Sequence, residues 1–508
     1  MKKKITLLGL IFLALTAKAA QYNTPGTGVK WSFADLVTNS GGFVTNDQTN
    51  GANNYLINDT INISATDEII VNSDITVRIA KGAEITFQSS TFTVNAPTLA
   101  TFTAKSQIVA DVFGVFNFND AAKANLKNAK FTFGKGIKVS LTTGSFTANN
   151  CEFSDNYYSS STAGAITLSK GYATVTNSKF LRNTRAAISS GANTASTFYF
   201  ANNYLEGNTT DNSNRPQINL GPCAEGDTTK ILNNTIIGNR SLTMAGGIST
   251  SSLLSVPCSF IIKGNTIKDN RYGITLTGSN VYGEITGNII QNNNTQNLPN
   301  SGGSGINITS STGTITTKIS GNKISGNLWG ITSVGNTSTY SNGPKVNLGN
   351  LSVPKTDPEY NPGLNEFSNN GNGGILYDFY NNSPINVMAQ GNTWGVTTQD
   401  SASIETVVVH KVDNAKYGFV TFTAPKVTSV TNPDNTKFNI YPNPVQTSFN
   451  IDIENKGLEI TDLTGKLIIS HKNSINYADV SQLENGMYIV KVYTADNKVL
   501  TSRFLKVK

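Results

Sequence analysis

NCEFSDN (150–156), NSKFLRN (177–183), NNYLEGN (202–208), NNTIIGN (233–239), GNTIKDN (264–270), GNIIQNN (287–293) and GNKISGN (321–327) are seven versions of one phrase, an apolar residue flanked by asparagines or glycine. Counted from the central apolar residue (Phe153, Phe180, Leu205, Ile236, Ile267, Ile290, Ile324), the steps are 27, 25, 31, 31, 23 and 34 residues, the spacing of stacked structural repeats with variable insertions. A second apolar column lies five residues upstream, at Ala148, Val175, Phe200, Ile231, Ile262, Ile285 and Ile319. Residues five apart on a straight strand face opposite sides, so the chain must turn between the columns for both to point inward. Asn and Gly tolerate the left-handed backbone that such a corner needs.

Stacking one turn on the next pairs each strand in parallel with its neighbour about 4.8 Å away and lines the asparagine amides up in ladders. The expectation is an all-β chain built around a parallel β-helix. A third column follows most copies, where Ala or Gly precedes Ile166, Ile188, Ile248, Ile274, Ile306, Ile331 and Ile375. The interval before this column varies, so loops should collect along one face, the natural binding surface.

The flanks divide the chain further. Residues 1–19 read as a secretory signal: Lys2, Lys3 and Lys4, an apolar run from Ile5 to Leu15, and Ala17-Lys18-Ala19 as a cleavage site. Removing it takes four lysines from a formal charge of +7 and leaves 35 Lys and Arg against 32 Asp and Glu, a balance of +3. With no basic block, nucleic-acid binding is excluded as a role. No other stretch approaches a membrane span, so none is expected in the mature chain. Residues 20–54 are assigned to a lead-in and cap, 55–423 to the solenoid, 424–436 to a Pro, Thr and Asn-rich linker, and 437–508 to a small antiparallel β-sandwich. Three cysteines at wide spacing make no disulfide framework or zinc site; Cys151 reads as a buried thiol, and export permits a bridge between Cys223 and Cys258.

The Asn-x-Ile-x-x-Asn phrase followed by Gly-Ile, across roughly 140–400, resembles right-handed parallel β-helix proteins of the pectin-lyase-like kind. GNTWG (391–395) and VVVHKVDNAKYGFVTFTAP (407–425) are similar to the closing coils of such proteins. That likeness implies fold alone, because the architecture hosts lyases, hydrolases, epimerases, adhesins and phage spikes. KFNIYPNPV (437–445), GLEITDLTGKLI (457–468), LENGMYIVKV (483–492) and FLKVK (504–508) resemble the type A C-terminal sorting domain of the type IX secretion system of Bacteroidetes. The resemblance makes Tyr441, Pro442, Asn443, Pro444, Gly486, Tyr488 and Lys506 the sorting motif. It implies the outer-membrane secretion machinery as partner, and a product secreted or attached to the cell surface.

Catalytic chemistry is sparse. Asp155 and Asp269 occupy equivalent positions four coils apart, about 19 Å at strand spacing, and Glu206 lies between them and out of line. That is a marginal pair for glycoside hydrolysis, which needs carboxylates about 5 to 10 Å apart. Glu225 with Asp227, and Asp357 with Glu359, are compatible with calcium and equally with loop solvation; otherwise no cofactor or metal is expected. His410 lies on the closing strand and His471 in the sorting domain, so no His-based catalytic pair or triad is expected.

Five residues after each apolar centre stand Tyr158, Arg185, Thr210, Ser241, Tyr272, Thr295 and Trp329, with Tyr157, Arg240 and Arg271 one place earlier. Stacked in register, Tyr157, Tyr158, Arg185, Arg240, Arg271, Tyr272 and Trp329 would form an aromatic and arginine strip suited to sugars or acidic polysaccharide. The other use is covering loop bases and solvating the corner. The sequence thus favours an exported, non-catalytic adhesin or polysaccharide-binding protein. The alternative is a polysaccharide lyase, glycoside hydrolase or epimerase of the same fold.

Overall fold

A computed structural model describes residues 21–49, 51–158, 163–192, 194–253, 256–310, 312–422, 438–496 and 498–508. The expected signal peptide and the whole of the expected linker, 424–436, lie outside the described residues. The described chain falls into two compact units, 21–422 and 438–508.

The first unit is a three-sided coil of short parallel strands around a continuous apolar interior. Three files of side chains fill it. One runs Phe102, Phe131, Phe153, Phe180, Leu205, Ile236, Ile267, Ile290, Ile324, Phe367, each residue in register with the next coil. The second joins Ala148 to Ile319 through Val175, Phe200, Ile231, Ile262 and Ile285. Both are as the phrase spacing predicts. At the N-terminal end of the first file the rings of Phe102, Phe131, Phe153 and Phe180 stack at 5.0, 5.6 and 4.9 Å.

The third file needs two corrections. It runs through Ile188, Ile218, Ile248, Ile274, Ile306, Ile331 and Phe379. Ile218 belongs to it although Pro-Gln, not Gly, precedes it. Ile375 does not: it is 55% exposed, in a small hairpin of Gly371–Asn372 and Ile375–Leu376. The hairpin is an insertion at the corner, and the coil resumes after it with Phe379.

The corners follow from backbone conformation. The residue three before each centre and the residue two after it adopt left-handed φ between 50° and 68°, from Asn128 and Phe133 to Leu364 and Asn369. Gly238 alone departs from this. Two asparagine ladders run inside these corners. In one, the backbone N–H and Nδ2 of Asn203 both donate to Oδ1 of Asn234, and so on through Asn265, Asn288, Asn322, Asn365 and Asn392. Each amide also donates to a carbonyl of the preceding coil, as Asn234 Nδ2 does to Phe200 O at 3.1 Å. The other ladder links Asn156, Asn183 and Asn208, then Asn270, Asn293, Asn327 and Asn370. Between its halves the phrase supplies Asn239, but that residue is exposed. Gln217, fully buried, fills the place: its Oε1 accepts from Asn208 and its Nε2 donates to Asn270, both at 2.9 Å.

Coil strands already occur within 20–54, the segment expected as lead-in and cap. Gln21–Asn23 and Lys30–Trp31 pair in parallel with Thr60–Ile63 and Glu68–Val71. The helix Phe33–Asn39, started by a capping box of Ser32 and Asp35, packs Phe33 and Leu36 onto the interior. Cys223 and Cys258 form a disulfide with Cα atoms 5.4 Å apart, and Cys151 is a buried thiol pushed up to about 11 by desolvation.

The second unit holds a three-stranded and a four-stranded antiparallel sheet around Phe449, Leu458, Ile460, Val490, Val492 and Phe504. Its entry segment is bound to its last strand. Leu505 N donates to Asn443 Oδ1 at 2.9 Å, Val445 N to Leu505 O at 2.7 Å, and Val507 N to Val445 O at 2.8 Å. Tyr441 is exposed, Gly486 pairs with Lys506 in the sheet, and the Tyr488 ring stacks on Phe504.

Candidate functional site: an aromatic cleft on one face of the coil

The residue after each third-file position points outward, because side chains alternate along a strand. In four successive coils these are Thr275, Asn307, Thr332 and Tyr380, in register with one another. They floor a cleft of about 470 Å³ whose walls include Tyr272, Trp329 and the loop segment Pro299–Gly302. The floor is hydrogen-bonded within itself: Thr332 Oγ1 donates to Asn307 Oδ1 at 2.8 Å, and Asn307 Nδ2 to Thr309 Oγ1 at 2.9 Å.

Trp329 is the centre of the wall. Its indole lies 4.6 Å from the ring of Tyr377 and 5.3 Å from that of Tyr380, and its Nε1 donates to Pro299 O at 3.0 Å. Tyr272 fits because position 246 is glycine; a Cβ there would stand 2.2 Å from the tyrosine Cζ. Burial pushes the Tyr272 phenol up to about 12. Burial, followed by the hydroxyl contact of 2.9 Å with Tyr417, raises Tyr380 further. Both phenols are therefore neutral donors near pH 7 and poor bases. No Asp, Glu, His, Lys or Arg side chain lines the cleft among the described residues.

Of the seven residues expected in the strip, the structure brings two, Tyr272 and Trp329, into this cleft. Arg271 lies directly behind its wall, 6% exposed, with its guanidinium bound to Asn214, Gln296 and the carbonyl of Ser301. Arg240 donates to Asp269 and Asn294, each at 2.9 Å, and Arg185 is paired with Asp211 at 2.5 Å. Tyr158 is buried several coils away, its hydroxyl pressed against Gly136, while Tyr157 beside it is exposed. The strip is discontinuous because corner loops differ in length. A fixed count of five from the apolar centre passes beyond the rigid corner into segments of unequal path. Tyr377, Tyr380, Asn307 and Thr332 fall outside the offsets of the repeated phrase that define the strip. The signal for the floor was the polar residue following each third-file position, hidden at Tyr380 by the misplaced Ile375.

The carboxylates considered for hydrolysis are engaged elsewhere. Asp155 accepts both Nε and Nη2 of Arg182, at 2.9 and 2.7 Å, and Glu206 accepts from the Tyr204 hydroxyl at 2.8 Å. Of the loop carboxylates compatible with calcium, Asp227 accepts from the N–H of Thr228 and Asp357 from that of Glu359. Glu405, His410 and Asp413 bring three potential ligand atoms together near the end of the coil. There Nδ1 of His410 accepts from Val420 N at 2.9 Å, so Nε2 carries the proton and donates to Glu405 at 2.8 Å. A metal on Nε2 would need the other tautomer and would set Nδ1–H against Val420 N–H. These residues fit a structural hydrogen-bond cluster, not a metal centre.

Residues 113–324 match the family model of a right handed beta helix region, and residues 439–507 that of a secretion system C-terminal sorting domain. No curated protein matches the chain. Among solved structures, a double mutant of the periplasmic alginate epimerase AlgG aligns at 12% identity over 77% of this chain and 83% of that one, with a TM-score of 0.39. The Dettilon tailspike protein aligns at 13% identity over 87% of this chain and 68% of its own, with a TM-score of 0.31.

Proposed function

We propose that this chain, a right-handed β-helix region followed by a secretion-system sorting domain, is an exported, non-catalytic polysaccharide-binding protein or adhesin that holds sugar in the cleft around Trp329. The observation that carries this reading is the composition of the cleft. Sugar rings present apolar C–H faces and hydroxyl edges, and Trp329 with Tyr380 and Tyr272 offers the matching aromatic faces. Asn307, Thr275, Thr332 and the two neutral phenols offer donors and acceptors at fixed positions. The tail marks the chain for passage to the cell exterior, with the leader at 1–19 supplying the first step and the secretion machinery as partner. Whether released or held on the surface, the product meets polysaccharide there, and the reading requires no cofactor.

Cleavage by lyase, hydrolase or epimerase chemistry needs an acid and a base at the sugar. Among the described residues the lining of this cleft holds no carboxylate, imidazole, amine or guanidinium, and its phenols, held protonated, are poor bases. The test is a panel of plant, algal and host polysaccharides, scored for retention and for new reducing ends or unsaturated products. Parent protein should retain a glycan without product, and Trp329→Ala should weaken that binding at least about tenfold, the worth of one lost stacking face. Unchanged affinity in the variant removes the cleft from consideration, and product formation replaces this reading with the enzymatic one.

A further inference from the structure

We infer that Arg271 is the positioning residue of the cleft: its guanidinium fork clamps the 294–303 loop into place and thereby sets Pro299 against the Trp329 indole. The inference rests on the cleft reading above for its consequence in binding, and on geometry for its mechanism. Two bonds of the fork reach that loop, through Gln296 and the carbonyl of Ser301, and the third reaches Asn214, a residue of an earlier corner. The Arg271 backbone joins in, since Gly303 N donates to Arg271 O at 2.9 Å. From the other side Leu328 N donates to Gly303 O at 2.8 Å, and the Trp329 indole to Pro299 O at 3.0 Å. The loop is thus held between Arg271 and Trp329, and its segment Pro299–Gly302 is cleft wall.

The electrostatics point the same way. Arg271 is 6% exposed, its fork acceptors are all neutral, and burial lowers its pKa from the ordinary arginine value. A desolvated cation without a carboxylate is an expensive way to fill space; an apolar side chain of similar size packs such a site more favourably. What the guanidinium supplies that an apolar group or a lysine cannot is a planar fork able to bind three acceptors from two corners at once. A Cβ at position 302 would come within 3.1 Å of Arg271 Nε, so a larger residue there would have to push the guanidinium aside by a few tenths of an ångström.

The test compares Arg271→Lys and Arg271→Gln with the parent chain. Acrylamide quenching isolates Trp329 by difference from Trp329→Phe, since Trp31 and Trp394 are 7% and 1% exposed. Loss of the clamp should raise the Trp329 quenching constant at least about twofold in both variants at a temperature where both remain folded, and weaken retention of the panel glycan about tenfold. Lysine should not rescue, because it restores charge without the fork. A double variant, Asn214→Ala with Gln296→Ala, removes two acceptors while keeping Arg271 and should shift quenching in the same direction, which keeps the test open if position 271 tolerates no change. Parental quenching in Arg271→Gln, or full rescue by lysine, overturns the inference. Loss of the cleft reading has a different signature: glycan retention unaffected by Trp329→Ala, whatever the quenching shows.

Discussion

At Asp378 burial outweighs two donors. Asn370 Nδ2 reaches one oxygen at 3.2 Å and Gly395 N the other at 2.6 Å, yet desolvation raises the carboxyl to about 6. An unfolded Asp titrates near 4, so between about pH 4 and 6 the folded state holds a proton that the unfolded state has released. Stability from this group is greatest below pH 4, falls as pH rises to about 6, and is flat above. Relative to Asp378→Asn, the parent should lose about 3 kcal/mol across that window, measured by chemical unfolding at several pH values; a constant difference would show that Asp378 does not titrate there. Asp67 has the opposite sign. Although buried, it accepts from the backbone N–H of Gly26, Thr27, Gly28 and Val29 at 2.9 to 3.0 Å, and these bonds together with that of Thr24 hold its pKa below the usual value. Its contribution is present above pH 4 and is lost as pH falls. Neither role was legible beforehand, because burial of a lone aspartate depends on which loop folds over it.

The corner is the unit in which the sequence could be read correctly. Five residues separate the two apolar columns, and the positions two before and three after the centre each directly follow one of the two left-handed residues, so both belong to a segment of fixed path. Offsets inside that segment therefore transfer from coil to coil, and those beyond it do not. Gln217 shows the limit from within. Asn239 has the right offset, but Gly238 lacks the left-handed φ, and a Cβ there would lie 1.9 Å from the carbonyl of Asp269. The corner closes differently, and a longer amide from the neighbouring face completes the ladder. Gln217→Ala should therefore cost on the order of 2 to 4 kcal/mol by orphaning buried groups of Asn208, Asn270 and Ile237. Asn239→Ala should stay within about 0.5 kcal/mol. Equal costs in denaturant titration would mean that the phrase, and not the structure, identifies the ladder residue.

The molecule divides its tasks between its two units. The tail matches a sorting domain, and its first and last segments are hydrogen-bonded to each other, so the motif Tyr441 to Pro444 and the terminal strand form one surface. Deleting 437–508 should leave the protein in the periplasm, as fractionation would reveal; equal surface display with and without the tail would remove the export assignment. The solenoid has a further property that comes from its amides. Every side-chain link in both ladders points the same way, hydrogen toward the later coil, so the partial charges add head to tail like those of a helix. The coil is an electrically polar rod, and one ladder ends at its positive pole on the carboxyl group of Asp378. Coils moved between such proteins, or reversed in a design, must preserve that sense and keep an acceptor at the far terminus.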